Sequence, residues 1–204
     1  MLRRTVGALS AQSAAGRRRS TPESVRARRE ARGQITDPGP VMEAAAAFLA
    51  TRPRSIGETT RRLRHLGYPQ ALLEEVVTRL VEVGYLDDES FARTWVESRD
   101  RARPRGESAL RRELAQKGVA RQVVDDVLGE RLGAAAGSDP NQAAAAALLE
   151  RKRAALSREP DDRKRRQKAY ALLARNGFDP DTCRTVSASV TNDDVGEDRD
   201  DADR

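Results

Sequence analysis

The residues that could do chemistry in this chain are few, and their spacing suits none of the common reactions. There is one histidine, His65, and one cysteine, Cys183. Together they cannot supply the four ligands of a tetrahedral zinc site, and a lone cysteine makes no internal disulfide. His65 lies between Arg64 and Leu66 at the end of a helical pattern, where a surface residue of the last turn is expected. Cys183 holds an apolar position in a helical stripe, which predicts a buried thiol rather than a nucleophile. Asp87 and Asp88 directly precede an apolar helical run, so one of them reads as a helix cap rather than half of an acid/base or metal pair. Glu74-Glu75 and Asp125-Asp126 flank apolar positions and read as a solvated helix face. The chain has no Gly-Lys-Ser/Thr phosphate loop and no dinucleotide fingerprint. The expectation is a protein that is not an enzyme and carries no cofactor or metal.

The basic residues say more. Arg52, Arg54, Arg61, Arg62 and Arg64 form one cluster, Arg101, Arg103, Arg105, Arg111 and Arg112 a second. Arg151, Lys152 and Arg153, followed by Arg163, Lys164, Arg165, Arg166 and Lys168, form a third. Some of this suits ordinary solvated faces with i,i+4 pairs, such as Glu58 with Arg62. The clusters nevertheless recur at corresponding places, while acids gather elsewhere, and such segregation favours a partner surface for nucleic acid or an acidic protein groove. Arginine supplies 34 of the 38 basic residues, which suits planar pairing with carboxylate or phosphate and also suits a GC-rich genome. The aromatics Tyr68, Tyr85, Trp95, Tyr170 and Phe178 fall mostly at core or helix-end positions, so base stacking is not expected.

The elements that must position these charges are helices. Leu72, Leu73, Val76, Val77, Leu80 and Val83 make one stripe at helical period; Phe91, Ala92, Trp95 and Val96 repeat it, as do Val123, Val124, Val127 and Leu128. No run alternates with β-branched enrichment, so the fold class expected is all-α. Residues 1–40 hold nine Arg and three acids but few large apolar groups, and residues 191–204 hold seven acids and two Arg. Neither end can bury enough surface to offset chain entropy, so both read as disordered tails, one basic and one acidic. No apolar run approaches the ~20 residues of a membrane span and no signal-peptide pattern is present, so a cytoplasmic setting is expected.

The middle is a repeat. A shift of 51 residues lays Arg52-Pro53-Arg54 on Arg103-Pro104-Arg105, Leu63 on Leu114 and Gly67 on Gly118. It also lays Leu72 to Val77 on Val123 to Leu128. A further 59 brings Leu173, Gly177 and Phe178 onto Leu114, Gly118 and Val119, with Cys183 and Val186 at apolar positions. The reading is three tandem three-helix repeats over 41–86, 87–133 and 140–190, in an elongated, curved body. In the first copy the helices are expected over Val41–Ala50, Ser55–Leu66 and Pro69–Val83, with Ser55 as a cap and Pro69 in the first turn of the third. Gly67, Gly118 and Gly177 sit where a left-handed cap ends the second helix. Pro140 opens the third copy and Pro160 divides its first two helices.

Several of these segments resemble the RecX family of bacterial recombination regulators. They are Gly84-Tyr85-Leu86-Asp87-Asp88 followed by Phe91-Ala92, then Arg105-Gly106, Leu110, Glu113-Leu114 and Lys117-Gly118-Val119. Arg54-Ser55 with Leu63, and Leu173-Ala174-Arg175-Asn176-Gly177-Phe178, fit the same pattern. The resemblance covers about 41–190; the Ala-rich first helix and both tails lie outside the pattern. It implies three three-helix units and a non-enzymatic regulator that binds the RecA protein and its nucleoprotein filament. It further implies inhibition of RecA recombinase, ATPase and coprotease activities, modulating DNA repair, recombination and the SOS response. The arm could add weak contact with single- or double-stranded DNA; a monomer without membrane attachment is expected. The surface expected to meet the partner is Arg52, Arg54, Arg61, Arg62, Arg103, Arg105, Arg111, Arg112, Arg163, Lys164, Arg165 and Arg166. The alternative is a helix-turn-helix protein that grips duplex DNA alone.

Overall fold

The computed structural model describes residues 21–134 and 139–190, and these form ten helices with no strand among them. They are α1 (Pro22–Gly33), α2 (Gly39–Leu49), α3 (Ile56–Leu66), α4 (Gln70–Glu82) and α5 (Asp88–Ala102). Then follow α6 (Glu107–Lys117), α7 (Arg121–Ala134), α8 (Pro140–Leu156), α9 (Asp162–Arg175) and α10 (Pro180–Ala188). After α1 they group in threes, each with its own core. Leu63, Leu73 and Val76 centre the first core, Leu114, Val124 and Val127 the second, and Leu173, Cys183 and Val186 the third. These are equivalent positions under the 51- and 59-residue shifts, so the repeat seen in sequence is a repeat of core chemistry.

Local signals start and stop the helices. Ser55 caps α3 in a reciprocal box with Glu58, accepting from the Glu58 N–H at 3.0 Å. Asp87 caps α5, accepting from the Glu89 and Ser90 N–H groups. Pro69 stands one place earlier than expected, as the cap of α4. Gly67, Gly118 and Gly177 have φ of 96°, 84° and 85°. An L side chain is strained there, so each glycine can end its helix where other residues would not.

The N-terminal arm departs from expectation. Residues 1–20 and the acidic segment 191–204 lie outside the described residues, but within the supposed disordered arm Pro22–Gly33 is helical. Thr21 caps this helix and Pro22 opens it, although it buries no residue. It docks through arginines instead: Arg32 donates to the Leu66 carbonyl at 3.4 Å and lies 5.5 Å over the Tyr68 ring. A Cβ on Gly67 would meet the Arg29 side chain at 2.4 Å.

The triplets are joined end to end through their second helices. At the first joint the start of α3 meets the end of α6: Ser55 Oγ donates to the Lys117 carbonyl at 2.6 Å, and Arg61 donates to the Gln116 carbonyl at 2.8 Å. Asp88 accepts from the Ile56 N–H at 2.8 Å, fixing α5 beside the same point. At the second joint the start of α6 meets the end of α9. The Gly106 N–H donates to the Asn176 carbonyl at 3.0 Å, and the Ser108 N–H and Oγ both donate to the Gly177 carbonyl. A Cβ on Gly106 would lie 2.2 Å from the Gly177 carbonyl. Behind the second joint, Arg131 bonds Asp100, Asn141 and the Pro140 carbonyl, tying α5, α7 and α8 together.

The expected Glu58–Arg62 pair does not form. Glu58 instead holds Arg52 and Lys117, each at 2.9 Å, across the first joint. Burial works against the ionised carboxylate, yet the two cations outweigh it and hold the Glu58 pKa at about 2, below its ordinary 4.5. The stability this contributes is complete above pH 4.5 and is lost as pH falls toward about 2. Glu58→Gln should therefore lower unfolding free energy at neutral pH by up to about 3 kcal/mol. Chemical denaturation as a function of pH should show the gap to wild type closing below pH 4.5. Gly106→Ala should cost about 1–3 kcal/mol, because backbone rather than a movable side chain blocks the new methyl. The helical Gly129, with open space around it, should accept alanine with a gain of roughly 0.5–1 kcal/mol. Thermal melts of the two variants compare them directly.

Candidate partner-binding surface

The twelve basic positions expected to meet a partner divide by what holds them. Arg165 is buried, 2% exposed. Its guanidinium donates twice to the Glu159 carbonyl and once to Asp162, closing the lead-in to α9. It is a structural residue, removed from the partner surface. Arg61 and Arg105 are engaged at the joints, Arg105 bonding the Asn176 side chain and standing 3.6 Å from Glu113. Arg111 is clamped by Glu107 and Asp125, whose hydrogen bonds raise its pKa and strengthen its hold on the proton.

Six positions keep their charge outward. Arg62, Arg103, Arg112, Arg163, Lys164 and Arg166 are exposed. Their side chains form no ion pair among the described residues; Arg112 only reaches back to the Ser108 carbonyl at 3.2 Å. They lie on α3, α6 and α9 or just before α6, so each triplet presents unpaired cations on or beside its second helix. Arg52 and Arg54 stand between the two groups. Arg52 is half-exposed on Glu58, and Arg54 lies 4.1 Å over the Phe48 ring with its Nε buried and without a partner. Burial, then the neighbouring charges of Arg52 and Arg62, push the Arg54 pKa down.

The third helices of the first two triplets carry the opposite sign, while α10 holds one acid and one arginine. Glu74, Glu75 and Glu82 are exposed on α4, as are Asp126 and Glu130 on α7. The residues weighed for catalysis take structural places. Cys183 is fully buried and its thiol pKa is raised by that burial. Asp88 is spent on the Ile56 N–H, and burial raises its carboxyl. His65 is exposed in the last turn of α3. Among the described residues no three His, Cys, Asp or Glu groups gather as a metal site, and no helix is long and apolar enough to cross a membrane.

Sequence reasoning missed two features. Trp95 is a half-buried hub, donating its Nε1–H to Glu113 at 2.9 Å under Arg99 and Lys117. Tyr85, grouped with aromatics at core or helix-end positions, is a helix-end residue and 74% exposed. For Tyr85 a signal existed: it follows a glycine at a helix end, where alternation with Leu86 turns one side chain out.

The three triplets match the three consecutive three-helix domains of RecX: the first over residues 42–80, the second over 87–128 and the third over 139–186. Among curated proteins, the Regulatory protein RecX of Prosthecochloris aestuarii is 35% identical over 162 residues, covering 77% of this chain and 98% of that one. The Regulatory protein RecX of Chlorobium phaeobacteroides is 32% identical over 149 residues, covering 73% and 92%. The crystal structure of RecX from Lactobacillus salivarius shares the fold with a TM-score of 0.63 at 19% identity, over 73% of this chain and 93% of that one. With three domains matched in order, and relatives above 30% identity aligned over nearly their whole length, this chain belongs to the RecX family of regulatory proteins.

Proposed function

We propose that the chain binds the RecA–DNA filament and inhibits RecA recombinase, ATPase and coprotease activities, acting in the cytoplasm as a monomer without catalysing a reaction itself. This would modulate DNA repair, recombination and the SOS response. The reading rests on the RecX resemblance and on one observation: unpaired cations recur on a triplet array whose spacing is set by joints onto backbone carbonyls at the ends of second helices. A partner built of repeating subunits can be met at several points by such an array, and several weak contacts then add to a strong one. The helix-turn-helix alternative is less well supported. A second or third helix would enter the groove in that case, and for the third helix of the first triplet exposed Glu74, Glu75 and Glu82 on α4 would repel phosphates.

The deciding measurement is single-stranded-DNA-dependent ATP hydrolysis by the cognate RecA, titrated with this protein at moderate salt. Inhibition below one copy per RecA, with duplex DNA alone bound weakly, is the expected result. Unchanged hydrolysis at excess protein, with salt-sensitive duplex binding, would replace the reading by the alternative. Charge reversal at Arg112, Arg163, Lys164 and Arg166 should weaken inhibition by roughly tenfold or more. Each exposed contact contributes about 0.2–1 kcal/mol and four are removed together. The melting temperature should stay near wild type, because none of the four is ion-paired within the described residues.

A further inference from the structure

The segment Gly84 to Asp88 is the most specific part of the family resemblance, and the structure explains four of its five residues. Gly84, at φ 76°, ends α4 in the left-handed region. Leu86 is 1% exposed in the first core. Asp87 caps α5, and Asp88 ties α5 to the start of α3. Tyr85 has no such part. Its backbone N–H is held by the Leu80 carbonyl at 2.9 Å, but its ring stands in solvent and its hydroxyl bonds nothing among the described residues.

Beside it runs a groove of about 690 Å³ between α2 and the turn from α4 to α5. Leu49, Leu80, Val83 and Phe91 give it apolar walls, with Tyr85 on the rim and Arg54 along one side. Val83 is unusually exposed for its type. Two exposed apolar side chains, Val83 and Tyr85, thus meet at the groove, next to a guanidinium whose Nε is buried without an acceptor. Arg52 and Arg62 crowd that guanidinium with like charge, and Glu58 offsets them only in part.

We propose that this groove docks an acidic segment of the partner protein, with one large apolar side chain entering beside Tyr85 and an adjacent carboxylate received by Arg54. The identity of that partner as RecA rests on the function proposed above. An exposed aromatic at the edge of an apolar pocket is the usual form of an interface hot spot. Arg54 and Arg79 line the groove against one acid, Asp87, which is engaged in capping α5, so the lining favours a carboxylate-bearing occupant. A nucleic acid fits less well, because a single aromatic among aliphatic walls makes a poor stacking platform.

The test uses the full chain and cognate RecA filaments on single-stranded DNA, with binding read by co-sedimentation and folding by thermal melts. Tyr85→Ala should weaken filament binding by roughly thirtyfold, the scale of a hot-spot truncation. Tyr85→Phe should stay within about twofold of wild type, since the ring rather than the hydroxyl makes the contact. Val83→Asp should also weaken binding, with melting temperatures near wild type for all three. Wild-type affinity in both Tyr85→Ala and Val83→Asp would overturn the groove assignment and leave the filament reading standing. Failure of the wild-type protein to bind filaments would overturn both. Two further results would assign the groove to another occupant and overturn the proposal: Tyr85→Ala abolishing self-association of the chain, or abolishing its binding to single-stranded DNA without RecA.

Discussion

The architecture depends on one interaction: the carbonyls at the end of one second helix receiving donors from the start of the second helix of the preceding triplet. Helix ends carry backbone groups with no partner inside the helix, donors at the start and acceptors at the end. Bringing an end to a start satisfies both and sets opposite helix-dipole charges against each other. At the α6–α9 joint this is done by backbone directly, from the Gly106 and Ser108 N–H groups to the Asn176 and Gly177 carbonyls. At the α3–α6 joint the Ser55 hydroxyl substitutes for the backbone donor. Such closeness tolerates only small residues, and Ser55 with Gly57, or Gly106 with Ser108, supply them.

The outer faces of the first and third triplets show the same constraint by its absence. Under the 59-residue shift the place of Gly106 is taken in α9 by Arg165, which turns inward to the Glu159 carbonyl. The small surface that would receive another second helix is absent at this place. At the turn of Gly67 no other triplet packs among the described residues, and α1 covers it with Arg29 and Arg32. Repeat arrays need terminal elements that differ from the internal ones, because an internal face left bare would invite further association. Here the two outer faces carry a short basic helix and a buried arginine.

Much of this was legible in the sequence, and the remainder fails to show for identifiable reasons. Periodicity and the three glycines mark the second and third helices because Leu63, Leu114 and Leu173 sit at core centres in every copy. The arm helix is invisible to the same reasoning: it buries no residue and holds on by arginine, so no apolar stripe announces it. Arg165 could not be told from its exposed neighbours Lys164 and Arg166, since a basic run does not say which member finds a carbonyl. The joints stay hidden because Ser55 and Lys117 are 62 residues apart and their contact runs to backbone, which any residue type supplies.

The division of charge follows from the joints. Holding three small cores in a row leaves many residues near helix ends, and arginine is the side chain that reaches carbonyls and carboxylates there with several donors at once. Arg61, Arg105 and Arg131 are consumed this way. Cations that remain unpaired, such as Arg62, Arg112 and Arg163, are thus those that the architecture does not use, and their spacing is inherited from the joints that hold the helices bearing them. A partner with its own fixed repeat would read that spacing as much as the charge itself. Weakening a joint should then damage recognition even where every outward arginine is intact, because contacts that no longer fall in register cannot reinforce one another.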